Sequence, residues 1–198
     1  MLRRKFVALV VPAFQLDLAP PASLPADGPA AARFFGASFH RVPSDMAALR
    51  ECLRTQQCVR FYAHTSPETH ATTPYASWAD AASGAPPIAI RCFRSARYEP
   101  YVVLPNRPST PVYSEAFTGY GKNKIELITH LRFAGFRFYA VPGAFIVHMP
   151  HVKSAQKLQW ETGSHRARMD RLYRRVVAQL VARYKRPRTP SCHPGRLL

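Results

Sequence analysis

Apolar residues along this chain fall into short runs separated by turn-forming residues. Residues 6–11 are continuously apolar and end at Pro12, which predicts a strand covered on both faces. Two further runs, residues 136–141 and 144–147, are split by Pro142-Gly143. The second delivers His148 at its end, and His151 follows three positions on. This predicts two buried strands joined by a tight turn, with an imidazole held at a strand terminus. Residues 59–64, 88–93 and 101–104 fit additional strands.

Helical spacing marks three other stretches. Met46, Leu49, Cys52 and Leu53 share one face of a helix over residues 45–54, with Ser44 as its expected cap. Ile125, Leu127, Ile128 and Leu131 form the stripe of a helix from Asn123, its expected cap, to about Phe133, with Gly135 ending it. Met169, Leu172, Tyr173, Val176, Leu180 and Val181 predict a final helix over residues 164–183. Residues 15–33 are rich in Pro and Ala and read as a loop; residues 64–80 read as a polar, turn-rich loop suited to binding. No internal repeat is visible. The order of elements predicts an α/β fold with a mixed sheet over residues 6–185, followed by a flexible tail, residues 186–198.

Length and composition narrow this picture. The 198 residues suffice for one domain with a core, and the 19 prolines imply much irregular backbone. The net charge of +17 is uneven: residues 152–198 carry 12 Lys and Arg against two acids. That excess is either a solvated basic face or a field that attracts polyanions such as nucleic acid, a sugar nucleotide or an anionic glycan. Neither zinc-finger spacing nor an aromatic-plus-glycine RNA-binding signature accompanies it, so nucleic acid is the weaker partner. Cys52, Cys58, Cys92 and Cys192 contain no CxxC pair. They fit two disulfides in an oxidising compartment or four separate thiols, with Cys52–Cys58 a conceivable pair. The run at residues 6–11 is far too short for a membrane helix, and no small-residue cleavage site follows it.

His148 is the leading candidate for chemistry, because an imidazole at a strand end is fixed in direction and can ligate a transition metal. Histidines three apart on a strand face opposite ways, so His148 and His151 need not act together. Gly119-Tyr120-Gly121 opens a helix and frees N–H groups for an anion, although it lacks both the phosphate-loop and the dinucleotide patterns. A plain tight turn is the alternative. Lys122 and Lys124 add positive charge there, and Glu99, Glu115 and Glu126 are the carboxylates near enough in sequence to serve as a base.

Ala8-Leu9-Val10-Val11-Pro12-Ala13-Phe14, Thr72-Thr73-Pro74-Tyr75, Tyr98-Glu99-Pro100-Tyr101-Val102-Val103, the stretch 113–126 and the stretch 145–151 occur in one order. In that order they resemble glycosyltransferase family 49, the LARGE-type transferases. The resemblance implies a GT-A-like nucleotide-sugar transferase fold, inversion at the sugar, a UDP-sugar donor and a glycan or glycoprotein acceptor. It implies Mn²⁺ as cofactor, with His148 as its ligand; the family's other metal ligands are an Asp-x-Asp motif, which these 198 residues lack. In the family that motif precedes the strand corresponding to residues 6–11, so the chain is expected to begin after it and to lack the N-terminal part of the fold. Glu99, which matches the family's aromatic-acid block, and Glu126, which departs from the LARGE-like sequence, are the candidate catalytic carboxylates. Tyr98, Gly119, Tyr120, Gly121, Asn123 and Lys124 are the candidate substrate-binding residues. The implied setting is the Golgi lumen, with a membrane anchor on the full-length protein. Transfer of a sugar such as glucuronic acid is the expected activity. The alternatives are a non-catalytic glycan-binding remnant and a basic nucleic-acid-binding protein.

Overall fold

A computed structural model of the chain describes residues 6–18, 23–24, 28–149, 151 and 155–193. Two nearly continuous strand pairs organise it. Strands β1 (Val7–Val11) and β2 (Ala13–Leu16) are parted by Pro12. Strand β3 (Cys58–Arg60) then pairs antiparallel with β2. Strands β4 (Ile88–Ile90) and β5 (Tyr101–Val103) follow, then β6 (Arg137–Ala140) and β7 (Ile146–His148), parted by Pro142-Gly143.

The first pair runs parallel to the last. Val7–Val10 match Arg137–Ala140, and Ala13–Gln15 match Ile146–His148. The ladder continues across the break, with Val141 N–H donating to Val10 O and Ile146 N–H to Pro12 O. Two sheets result, in the orders β4-β6-β1-β5 and β3-β2-β7. Proline lacks the N–H that a ladder needs, so both strand tracks turn at the same level. Two side chains satisfy backbone carbonyls there: Tyr75 Oη–H donates to Ala13 O at 2.9 Å, and Trp78 Nε1–H to Val141 O at 2.8 Å.

The helices are α1 (Pro29–Ala37), α2 (Met46–Arg54), α3 (Tyr75–Asp80), α4 (Asn123–Phe133), α5 (Ala155–Thr162) and α6 (His165–Tyr184). Helix α4 packs on the larger sheet through Leu127, Ile128 and Leu131, which meet Ala8, Val10 and Phe138 in one core cluster. The smaller sheet and α2 enclose Phe14, Leu49, Tyr75 and Trp78. Helix α6 closes on α4 through Met169, Tyr173 and Val177, against Phe117 and Ile125.

The α/β class and mixed sheet agree with the sequence expectation. Several local expectations differ. Helix α2 is capped by Asp45, which accepts from Ala48 N–H at 2.8 Å, not by Ser44. Lys122, in the left-handed region at φ 66, occupies the N-cap of α4, and Asn123 is its first residue. Residues 29–37 are helical because Pro29 supplies a preset φ at a helix start. The stretch 64–80 ends in α3, and α5 precedes the long C-terminal helix. Strand β1 alternates buried and half-buried positions instead of being covered evenly. Gly135 does end α4: at φ 97 it lets Phe136 N–H reach back to Leu131 O.

The tail also differs. Thr189 is buried, Arg188 N–H donates to Arg132 O, and Arg132 Nε–H donates to Thr189 O at 3.0 Å. Phe93 and Ser191 form a parallel bridge, and a disulfide joins Cys92 to Cys192. Residues 188–192 are therefore anchored where fraying was expected; residues 194–198 lie outside the described residues. Cys52 and Cys58 form the second disulfide.

Candidate functional site

The loop before α4 needs glycine for two reasons. Gly119 and Gly121 have φ of 73° and 102°, backbone that L side chains rarely adopt. A Cβ on Gly121 would also lie 2.5 Å from Trp160 Nε1 of α5. The loop thus runs directly beneath the indole. Gly121→Ala is expected to cost about 1–2 kcal/mol and to displace the indole, read as a loss of stability with a shift in tryptophan emission.

This loop forms one side of a cleft of about 770 Å³. Gly119, Tyr120, Gly121, Asn123 and Lys124 all line it, and so does Glu99. Lys124 Nζ lies 3.5 Å from the Glu99 carboxylate and 5.0 Å from the Tyr101 ring centre. Lys122 Nζ lies 3.2 Å from Asp170 of α6. Tyr62, Lys157 and Trp160, which the sequence reading did not single out, also line it. Lys157 Nζ is 5.9 Å from the Tyr62 ring centre and 5.7 Å from that of Tyr120. Arg166 stacks over Trp160 at 5.0 Å. Tyr62 has φ 58, uncommon for a bulky residue, and its N–H donates to Gln15 Oε1 at 3.2 Å. Burial first, and Tyr120 second, raise the Tyr62 hydroxyl above its ordinary range. Cations set among aromatic rings can hold anionic groups and stack on sugar faces.

His148 is not among the lining residues. Its ring rests on Phe61 at 4.6 Å, with His151 at 5.2 Å, and its Nδ1 is buried with no hydrogen-bond partner. Burial pushes it down to about 4, and the charges of His151, Lys124 and Lys157 push the same way. At neutral pH it is therefore a neutral imidazole with its ring nitrogens uncharged, facing the lysines that line the cleft. That state suits one metal-ligand position. The neighbouring lysines do not suit a cation, and among the described residues no three His, Cys, Asp or Glu side chains come together. Mn²⁺ favours oxygen donors, so the residues described fit one ligand and not a whole manganese site.

The structure separates the other sequence candidates. Tyr98 is buried in the main core, edge-on to Phe93, with its hydroxyl 2.8 Å from Thr73 Oγ1. It supports the block that carries Glu99 and does not line the cleft. Glu126 lies two residues after Lys124, hence on nearly the opposite side of α4. It is buried, Oε1 is 3.9 Å from His130 Nδ1, and Oε2 has no partner. Burial raises its carboxyl above the usual range. Of the candidate bases, only Glu99 and not Glu126 reaches the cleft.

A second neutral histidine stands nearby. His70 is buried, its ring centre 5.2 Å from Phe61 and 6.4 Å from Tyr101. Burial, with a smaller push from Lys124, takes it from 6.5 to about 4. Since the folded value lies below the unfolded one, the unfolded chain binds the proton first as pH falls. The stability is whole above about pH 6.5 and is lost as pH falls towards about 4, on the order of 3 kcal/mol. Urea midpoints measured at pH 7 and pH 4 should converge in His70→Phe relative to wild type.

Comparison with known proteins bears on the chemistry of this cleft. Residues 3–185 match a family model described as glycosyl-transferase for dystroglycan. The chain is 33% identical over 152 residues to rat xylosyl- and glucuronyltransferase LARGE2, covering 77% of this chain and 18% of that protein. It is 37% identical over 94 residues to human LARGE2, covering 48% of this chain and 12% of that protein. Human xylosyl- and glucuronyltransferase LARGE1 is 33% identical over 112 residues, 57% of this chain and 14% of the relative. The chain thus spans less than a fifth of the length of these curated relatives.

Proposed function

The chain belongs to the LARGE-type family of glycosyl-transferases, glycosyltransferase family 49, and on that footing we propose that it takes part in transferring a sugar from a UDP-sugar to a glycan acceptor. The donor sugar in this reading is glucuronic acid or xylose, the sugars in the relatives' names. The observation that supports it is the glycine loop at the start of α4, which shares one cleft with Lys122, Lys124, Lys157 and the Glu99 carboxylate beside Lys124.

The lysines and the freed N–H groups of the loop hold the donor's negative charge, as helix starts do. Tyr62, Tyr120 and Trp160 give flat faces for sugar rings. The acceptor hydroxyl oxygen attacks the anomeric carbon, the bond from that carbon to the diphosphate oxygen breaks, and UDP leaves with the electron pair. Glu99 takes the hydroxyl proton. One displacement from the face opposite the leaving group inverts the anomeric centre. Of the residues described, His148 would hold a metal ion such as Mn²⁺ by one neutral imidazole, and such an ion would supply charge stabilisation for a departing diphosphate. The two disulfides fit an oxidising compartment such as the Golgi lumen.

Incubation with UDP-glucuronate or UDP-xylose and a glycan acceptor tests this reading. Glycan product with the anomeric centre inverted supports it. Glycan binding with no turnover favours the alternative of a non-catalytic glycan-binding remnant. Binding of RNA in place of glycan would favour the basic nucleic-acid reading.

A further inference from the structure

A second concavity lies outside the cleft, between α6 and the loop before α4. It has a volume of about 270 Å³ and is lined by Ala116, Arg168, Met169, Arg171, Leu172 and Arg175. Arg168, Arg171 and Arg175 fall at spacings of three and four, so their side chains rise from one face of the helix. They span about 10 Å along the axis, close to the length of one disaccharide. Met169 is buried and Leu172 half-buried, giving the groove an apolar floor.

Among the described residues these three guanidinium groups meet no carboxylate. The one acid on α6, Asp170, is taken by Lys122 at 3.2 Å. Arg171 and Arg175 are exposed, and among the described residues neither has an ion pair with a carboxylate. Arg168 is held against the segment just before the glycine loop: its Nη2 lies 3.4 Å from Thr118 Oγ1 and 3.2 Å from His165 Nδ1. The groove therefore runs on from the glycine loop, and Arg166 on the same helix lines the cleft itself.

We propose that this groove is a second binding site, for a linear polyanionic glycan. Guanidinium groups pair bidentately with carboxylates and sulfates, and the apolar floor suits the C–H faces of sugar rings. Single-stranded nucleic acid fits less well because binding of that kind uses aromatic platforms, and none of the lining residues is aromatic. A membrane surface is flat, whereas this site is concave. The choice of a glycan rests in part on the transferase reading, through continuity with the cleft; the groove and its charge do not.

Calorimetric titration of the protein near physiological ionic strength, with no sugar donor present, tests the proposal. The probes are a heparin hexasaccharide, a hyaluronan hexasaccharide, a short single-stranded RNA, and phosphatidylcholine vesicles containing phosphatidylserine. Arg171→Ser with Arg175→Ser is compared with Arg174→Ser with Arg183→Ser, an equal charge change at exposed positions of α6 outside the groove. The groove pair is expected to weaken glycan binding by about tenfold or more, and the control pair by less than about threefold. Binding confined to hyaluronan points to a carboxylate-bearing glycan as the source. Binding confined to heparin identifies a separate sulfated glycan, and either result supports the site. Equal losses in the two pairs, no glycan binding at all, or tighter binding of RNA or vesicles that the groove pair abolishes would overturn it. Because the titration requires no turnover, failure of sugar transfer and failure of this site are distinguishable.

Discussion

Replacing Cys92 and Cys192 by serine is expected to remove about 4–5 kcal/mol of stability, far more than the same change at Cys52 and Cys58. The two bridges close loops of very different size. Cys92 and Cys192 are 100 residues apart in sequence, and Cys52 and Cys58 only six. A cross-link restricts the unfolded chain according to the logarithm of the loop it closes, which gives about 2 kcal/mol for the short loop. The long bridge also holds a strap of chain over the main core. Thr189 Oγ1–H donates to Phe136 O at 3.1 Å, and Arg132, buried over the Phe93 ring at 4.6 Å, donates to Thr189 O. Releasing Cys192 leaves this guanidinium, already lowered to about 10 by burial, with a weaker hold on its acceptor. Urea unfolding of the two serine pairs should rank them in this order. Equal losses would mean that the tail is held by its hydrogen bonds alone.

Lys124→Met is expected to lower the sugar-transfer rate by about 100-fold, the effect of removing one donor that faces charge developing on a leaving group. Lys124 is the point where the cleft's parts meet. It pairs with Glu99, lies over Tyr101, and its charge helps to keep His70 and His148 neutral. The substitution leaves the core intact because the ammonium is at the cleft wall and methionine replaces the aliphatic stem. A second readout separates charge from packing: the imidazole pKa of both histidines should rise in the variant, as NMR titration would show. An unchanged transfer rate would remove Lys124 from the diphosphate site.

The features legible in the sequence were those that local chemistry dictates. Prolines at 12 and 142 mark the break in each strand track, and the apolar stripe of α4 with Gly135 behind it marks that helix and its end. His148 sits at its strand end as the run before it predicts, and Gly119, Tyr120, Gly121, Asn123, Lys124 and Glu99 share one cleft. What the sequence hid depends on contacts between distant segments. Tyr62 reaches the cleft because a backbone in the left-handed region, held by Gln15, turns it there. Lys157 and Trp160 reach it only because α5 folds back over the glycine loop. Glu126 and Tyr98 carry suggestive side chains in suggestive blocks, yet helix rotation sends one into the packing and the sheet encloses the other. The partner of Cys92 lies 100 residues away, beyond any spacing rule.

The most direct test is the rate of glycosyl transfer by Glu99→Gln beside wild type, at matched UDP-sugar and acceptor concentrations. The exchange keeps the size of the side chain and removes its capacity to take a proton. If transfer occurs in this cleft with Glu99 as the base, kcat falls by about 100-fold or more while acceptor binding and the melting temperature stay near wild type. A glutamine variant that transfers sugar as fast as wild type would place the reaction elsewhere.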